Sequence, residues 1–191
     1  MVLDKLAAAE RIAFVLHDLF DVSFAEIAPI IERTEMATRQ IASRARRQVR
    51  GAALPAKNAA RQQEVVAAFM QASRQGNFEA LIRLLHPDVV LRADQTAIKV
   101  STANKARGAP QFVAEIIGAH AVADTLNGSA QGAQLSLVNG LAGATWGMNG
   151  KTVVAFCFTV NDEKITAIDI VMDKPAIDNL DIQLIDNNQQ Q

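Results

Sequence analysis

The chain has 191 residues, half of them hydrophobic, and a formal net charge of -1, enough to bury a core in one large domain or two small ones. It has no Tyr and a single Cys, which excludes phenol chemistry, an intramolecular disulfide and a multi-cysteine zinc site. No signal peptide opens it, and no apolar run nears the roughly 18 residues of a membrane span, so we expect a cytoplasmic protein with no membrane partner.

Residues 4 to 50 read as helical throughout. Leu6, Ile12, Phe14, Val15, Leu16, Leu19 and Phe20 recur at helical spacing. Asp21 and Val22 form a break. Ser23 then caps a second helix, and Glu26 three residues on completes a capping box. That helix contains Pro29 and ends near Glu32-Arg33. Thr34 caps a third helix, whose Ala37, Ile41, Ala45 and Val49 recur every fourth residue and face inward. The third helix also carries Arg39, Arg44, Arg46, Arg47 and Arg50. Seven basic residues and no Asp or Glu lie between Met36 and Gln63. A one-sided basic helix after a tight turn suits the reading of duplex DNA. The competing reading is a solvated basic helix with no nucleic-acid role.

Gly51 to Ala56 reads as a linker, because Gly51 is placed to end the helix and Pro55 opposes its continuation. Ala59 to Gln75 is a new amphipathic helix, and Phe78 to Leu85 a second, shorter one. His86-Pro87-Asp88 turns into a strand at Val89–Asp94, with Ile98 to Ser101 pairing back as a hairpin. Gly108 to Val122 is expected to be helical. Strands follow at about 126–138, 141–148, 151–160 and 164–172. Their turns are Asn139-Gly140, Asn149-Gly150 and Asn161-Asp162, of the kind hairpins prefer. Cys157, between Phe156 and Phe158, is a buried strand thiol. Helices followed by an antiparallel meander predict an α+β cone, a curved antiparallel sheet wrapped around helices. We therefore divide the chain into an all-α unit at 1–52, a linker at 53–58, the cone at 59–177 and an acidic, polar tail at 178–191.

The first half resembles region 4 of bacterial extracytoplasmic-function sigma factors. The matching residues are Leu3–Leu6, Ala9–Arg11, Phe14–Asp18, Phe24–Ala28 and Arg39–Arg46. Within that family Phe14–Asp18 and Arg39–Arg47 are similar to the SigJ-like subgroup, in which a SnoaL-like domain of the nuclear-transport-factor-2-like superfamily follows. Leu85–Val89 and Ile165–Val171 stand where such a domain would have them. The resemblance implies a helix-turn-helix that binds −35 promoter DNA and core RNA polymerase, with the cone regulating it. By position and by the resemblance, Arg39, Gln40, Ser43 and Arg44 are base-edge candidates, and Arg46, Arg47 and Arg50 are phosphate candidates.

Three departures stand out. Region 2, which reads the −10 element in that family, is expected ahead of this segment and is absent from the sequence. Glu32 and Glu35 stand where the family's turn has Gly and often Pro, and both would repel phosphate. Asp94–Lys99 contains none of the glycines of the subgroup's loop, and Met172–Ala176 matches its last motif only loosely.

Superfamily members often hold an acid-base pair in the cone, so His86, Arg92, Asp94, Trp146 and Asp169 are candidate pocket residues. Each has a plainer reading. His86 and Asp94 suit turn caps, and alternation can turn Asp169 to water. No metal spacing, phosphate loop or catalytic triad order is present, so we expect neither a cofactor nor an enzyme. A small apolar ligand and a homodimer are the remaining candidate partners of the cone. The alternative function is a SnoaL-like ligand-binding protein or isomerase with a vestigial helix-turn-helix.

Overall fold

A computed structural model describes residues 6–49, 56–148 and 150–185. The chain divides into two compact units, residues 1–58 and 59–191. Residues 51–55 of the expected linker lie outside the described residues.

The first unit is built from α1 (Ala8–Phe14), a π-helical turn (Val15–Leu19), α2 (Phe24–Ile30) and α3 (Glu35–Val49). The single helix expected up to the Asp21 break is thus a short helix that widens at Val15. The widened turn is held by His17, whose Nδ1–H donates to the Val22 carbonyl at 2.9 Å while its ring packs on Phe24. Asp21 then takes a φ of 56°, a left-handed conformation that Asp tolerates better than most residues. Ser23 opens α2 with the expected capping box: its Oγ accepts from the Glu26 amide, and the Glu26 carboxylate accepts from the Ser23 amide and hydroxyl. Those two bonds hold the Glu26 carboxyl below its ordinary pKa. Ala13, Ile27, Ile31 and Ala42 form the core. The buried side of α3 is Met36, Thr38, Ala42 and Ala45, whereas Ala37 and Ile41 are only half-buried. A strict four-residue repeat drifts around a helix of 3.6 residues per turn, and Thr38 is admissible inside because its hydroxyl donates to the Thr34 carbonyl at 2.9 Å.

The second unit opens with α4 (Ala56–Gln75) and α5 (Phe78–Leu84), then β1 (Leu85–Ala93), α6 (Gln95–Ala103) and a 3-10 turn (Lys105–Arg107). Next come β2 (Glu115–Ile117), α7 (Ala119–Leu126), β3 (Gln134–Val138), β4 (Leu141–Met148), β5 (Lys151–Asn161), β6 (Lys164–Val171), α8 (Lys174–Asp178) and β7 (Ile182–Leu184). The strands form one sheet in the order β2-β1-β6-β5-β4-β3-β7. It is mixed, because β1 runs parallel to β6 and every other described pair is antiparallel. One face of the sheet carries Leu91, Ile168, Phe158, Val154 and Ala144, which join Val66, Phe69, Leu81 and Val122 of the helices in the core.

Several local expectations are corrected. Ile98 to Ser101 is helical, because Asp94 caps α6 by accepting from the Ala97 amide. The helix expected at 108–122 is a loop and β2, and helix resumes only at Ala119, after Gly118 at a φ of 97°. The long strand expected at 126–138 is confined to 134–138, since Gly128 and Gly132 both take left-handed turns ahead of it. His86 lies at the start of β1, where the register with β6 shifts between Leu85 and Val90. The last hairpin turns on Asp162 and Glu163, both at positive φ, one residue later than expected. The acidic tail contributes β7, which pairs with β3.

Candidate nucleic-acid interface and cone cavity

The turn before α3 works without glycine. Glu32 takes a φ of 54°, at a cost of about 1 kcal/mol for a residue with a side chain, and Arg33 donates to its carbonyl at 2.9 Å. The Thr34 hydroxyl then accepts from the Ala37 amide at 3.1 Å and starts the helix. Glu35 sits in the first turn, where its charge suits the helix dipole.

The candidate DNA-contacting residues differ in how they are held. Arg39 is half-buried; it is ion-paired with Glu35 one turn before it, and its guanidinium lies 5.6 Å from the centre of the Phe24 ring. Gln40 and Ser43 follow on the same helix and are half-buried. Arg44 Nε lies 3.0 Å from Glu10 Oε1. Glu10 is itself buried, and its second oxygen accepts from the Ala7 amide at 2.9 Å. One carboxylate therefore closes the start of α1 and ties that helix to α3. Arg46 and Arg47 lie on the α3 backbone, and Arg50 falls outside the described residues. Glu10 stands within the matching segment Ala9–Arg11, but its part as cap and brace escaped the sequence reading; its signal was an acid three residues after Ala7, the N3 position of a helix.

This geometry makes Arg44 a brace between helices. Glu10→Ala should lower the unfolding free energy of the first unit by about 2 kcal/mol, the combined worth of a cap and a charged hydrogen bond. Arg44→Ala should cost less and leave the salt dependence of DNA binding unchanged. Urea titration by circular dichroism, with binding titrations at several salt concentrations, checks both. A salt slope that falls by about 1 in Arg44→Ala would instead put Arg44 on a phosphate.

In the second unit the sheet register separates the candidate pocket residues. Arg92, Asp169, Cys157, Gly143 and Ser136 are successive partners across β1, β6, β5, β4 and β3, so they share one face. Ile170, Phe156 and Ala144 are partners on the other face, as are Val154 and Trp146. On the first face Arg92 Nε is 3.1 Å from Glu115 Oε2, and its Nη1 is 3.9 Å from Oδ1 of the buried Asp169. Burial, then the charge of Asp169, pushes the Cys157 thiol pKa well up, so the thiol stays protonated and unreactive at neutral pH. The Ser136 and Thr145 hydroxyls are hydrogen-bonded at 2.8 Å in the same buried layer.

The face bearing Trp146 borders a cavity of about 470 Å³. Its walls are Ala97, Val100 and Ser101 of α6, Phe112 of the following loop, and Trp146, Val154 and Phe156 of the sheet, with Arg107 and Gln131 at an exposed rim. Of the five candidates, Trp146 is the one that lines it. Arg92 and Asp169 lie on the opposite face. The Asp94 carboxylate is occupied by three backbone amides, from Ala97 at 2.7 Å, Met172 at 2.7 Å and Asp173 at 2.8 Å. His86 Nδ1 accepts from the Asp88 amide at 3.2 Å. Among the described residues that line the cavity none is a carboxylate, an imidazole or a thiol, so it holds no acid-base pair. Arg107 escaped the sequence reading; the signal available was a cation just before Gly108 and Pro110, where the chain has to turn. Among the described residues no group of His, Cys, Asp and Glu is placed to hold a metal, and no helix is long and apolar enough to cross a membrane.

Residues 1–49 match the family described as Sigma-70, region 4. The sequence is 36% identical over 183 residues to the ECF RNA polymerase sigma factor SigJ of Mycobacterium tuberculosis, a match covering 88% of this chain and 56% of that protein. The crystal structure of that sigma factor aligns with a TM-score of 0.49 and 32% identity, over 93% of this chain and 63% of the other. An NTF2-like protein of unknown function from Cytophaga hutchinsonii aligns with a TM-score of 0.39 and 14% identity, over 60% of this chain and 91% of its own. The chain thus spans little more than half the length of that curated relative. Residues 1–49 thus match the sigma-70 region 4 family, and the chain as a whole, a helical unit followed by an α+β cone, is similar to the extracytoplasmic-function sigma factor SigJ.

Proposed function

We propose that the chain acts in transcription initiation. Its region 4 unit binds −35 promoter DNA and core RNA polymerase, and the cone regulates that unit in response to a small apolar molecule. The observation that carries this reading is the region 4 match over a helix-turn-helix whose last helix bears Arg39, Gln40, Ser43, Arg46 and Arg47, with Arg44 turned to Glu10 as a brace. Gln40 suits the edge of an adenine, and Arg39 suits that of a guanine. To reach a base, Arg39 exchanges Glu35 for the DNA. That exchange weakens affinity and sharpens selectivity, since a wrong base leaves Arg39 better off with Glu35. Arg46 and Arg47 meet phosphate. Leu19, Phe20 and Ile30 are large apolar side chains exposed in this unit and available to the polymerase.

Two measurements test the reading. Immobilised chain should retain purified core RNA polymerase. Binding to promoter duplex should weaken steeply with salt, and Arg46→Ala with Arg47→Ala should lower the log–log slope by about 2. No retention, together with an unchanged slope, would remove the transcriptional role.

A further inference from the structure

The walls of the cone cavity are apolar, and its polar groups are almost all donors or already engaged. The Ser101 hydroxyl donates to the Ile98 carbonyl at 2.9 Å and accepts from the Phe112 amide at 3.3 Å. The Gln131 side-chain amide donates to the Arg74 carbonyl at 2.9 Å. The Asn104 amide donates to the Val100 carbonyl at 2.8 Å. Two donors remain. The Trp146 indole N–H faces the backbone at Gly132, where an added Cβ would sit 3.3 Å from Nε1, and it donates to no described residue. The Arg107 guanidinium has one long contact, 3.4 Å to Asn104 Oδ1, and no described carboxylate within ion-pair distance.

Arg107 is the one charged residue among those lining the cavity. Its backbone is fixed, since its amide donates to the Asn104 carbonyl at 2.9 Å and Gly108 closes the turn in a left-handed conformation. A cation is therefore held at the rim of an apolar cavity with no acid among the described residues to neutralise it. A purely apolar occupant would make no use of that guanidinium, which would stay with water, and a cationic one would be repelled. An occupant with an apolar body and one carboxylate satisfies both the walls and the rim.

We propose that the cavity binds an apolar monocarboxylate, its chain or ring against Phe112, Trp146, Val154 and Phe156 and its carboxylate on Arg107. This rests on the reading of the cavity as a ligand site and adds the chemical class of the ligand. The volume of about 470 Å³ lies within the range of small-molecule sites.

Trp146 is the only tryptophan of the chain, so its fluorescence reports occupancy directly. The full chain is titrated with decanoate and, separately, with decanamide, which has the same apolar body and no charge. Decanoate should bind at least about tenfold tighter. Arg107→Gln should abolish that difference and leave decanamide binding unchanged; because Arg107 is exposed, the variant should fold. Equal binding of both compounds to the unaltered chain would overturn the anion preference and leave the ligand site standing. No change in Trp146 fluorescence with either compound would overturn both.

Discussion

Phe158→Ala is expected to remove about 3–5 kcal/mol from the stability of the second unit, the usual loss for truncating a buried aromatic residue. Phe158 is buried on β5, and its ring meets Phe69 of α4 edge-on at 5.6 Å. It also borders a small void of about 40 Å³ with Phe69, Met70 and Leu126, so truncation enlarges an existing gap and the neighbours have little scope to close it. The neighbouring variant Cys157→Ala, on the opposite face and much smaller in volume, should cost only about 1 kcal/mol. Urea unfolding followed by Trp146 fluorescence isolates this unit from the first. A loss below about 1 kcal/mol for Phe158→Ala would mean that α4 does not pack on β5 as described.

Asp94→Ala should cost about 3 kcal/mol, because one carboxylate accepts from three backbone amides and charged acceptors make the stronger hydrogen bonds. The three amides belong to the first turn of α6 and to the end of the chain segment leaving β6. Asp94→Asn keeps one acceptor oxygen and should lose about half as much. The same unfolding titration reads both variants. A loss under about 0.5 kcal/mol in Asp94→Ala would show that water replaces the carboxylate without penalty.

What the sequence revealed, it revealed locally. The Ser23 capping box and the Thr34 cap each depend on residues within one helical turn, and both are formed as expected; Glu32 keeps the left-handed conformation although it is not glycine. The alternation of β5 was legible for the same reason, because its two faces can be read from one segment. The parallel pairing of β1 with β6 joins Leu91 to Ile168, and no local pattern reports a contact so distant in sequence. That pairing also decides which side of the sheet Arg92 and Asp169 take, so candidates that look equivalent in the chain fall on opposite faces from Trp146. Asp94 read as the end of a strand and is the beginning of a helix, since the same residue type serves both and only the following segment decides. The parts played by Arg107 and Glu10 were not legible because a lone charge gains meaning only from what surrounds it.

The sheet ends on both sides in very short strands, β2 and β7, each of three residues. An unpaired strand edge is a template on which another chain can add hydrogen bonds, and its risk grows with its length. Here each terminal strand offers an incoming chain only one or two such bonds, while the long strands β5 and β6 are covered on both flanks. Short terminal strands thus limit edge-to-edge pairing between cones, in a chain of which half is hydrophobic.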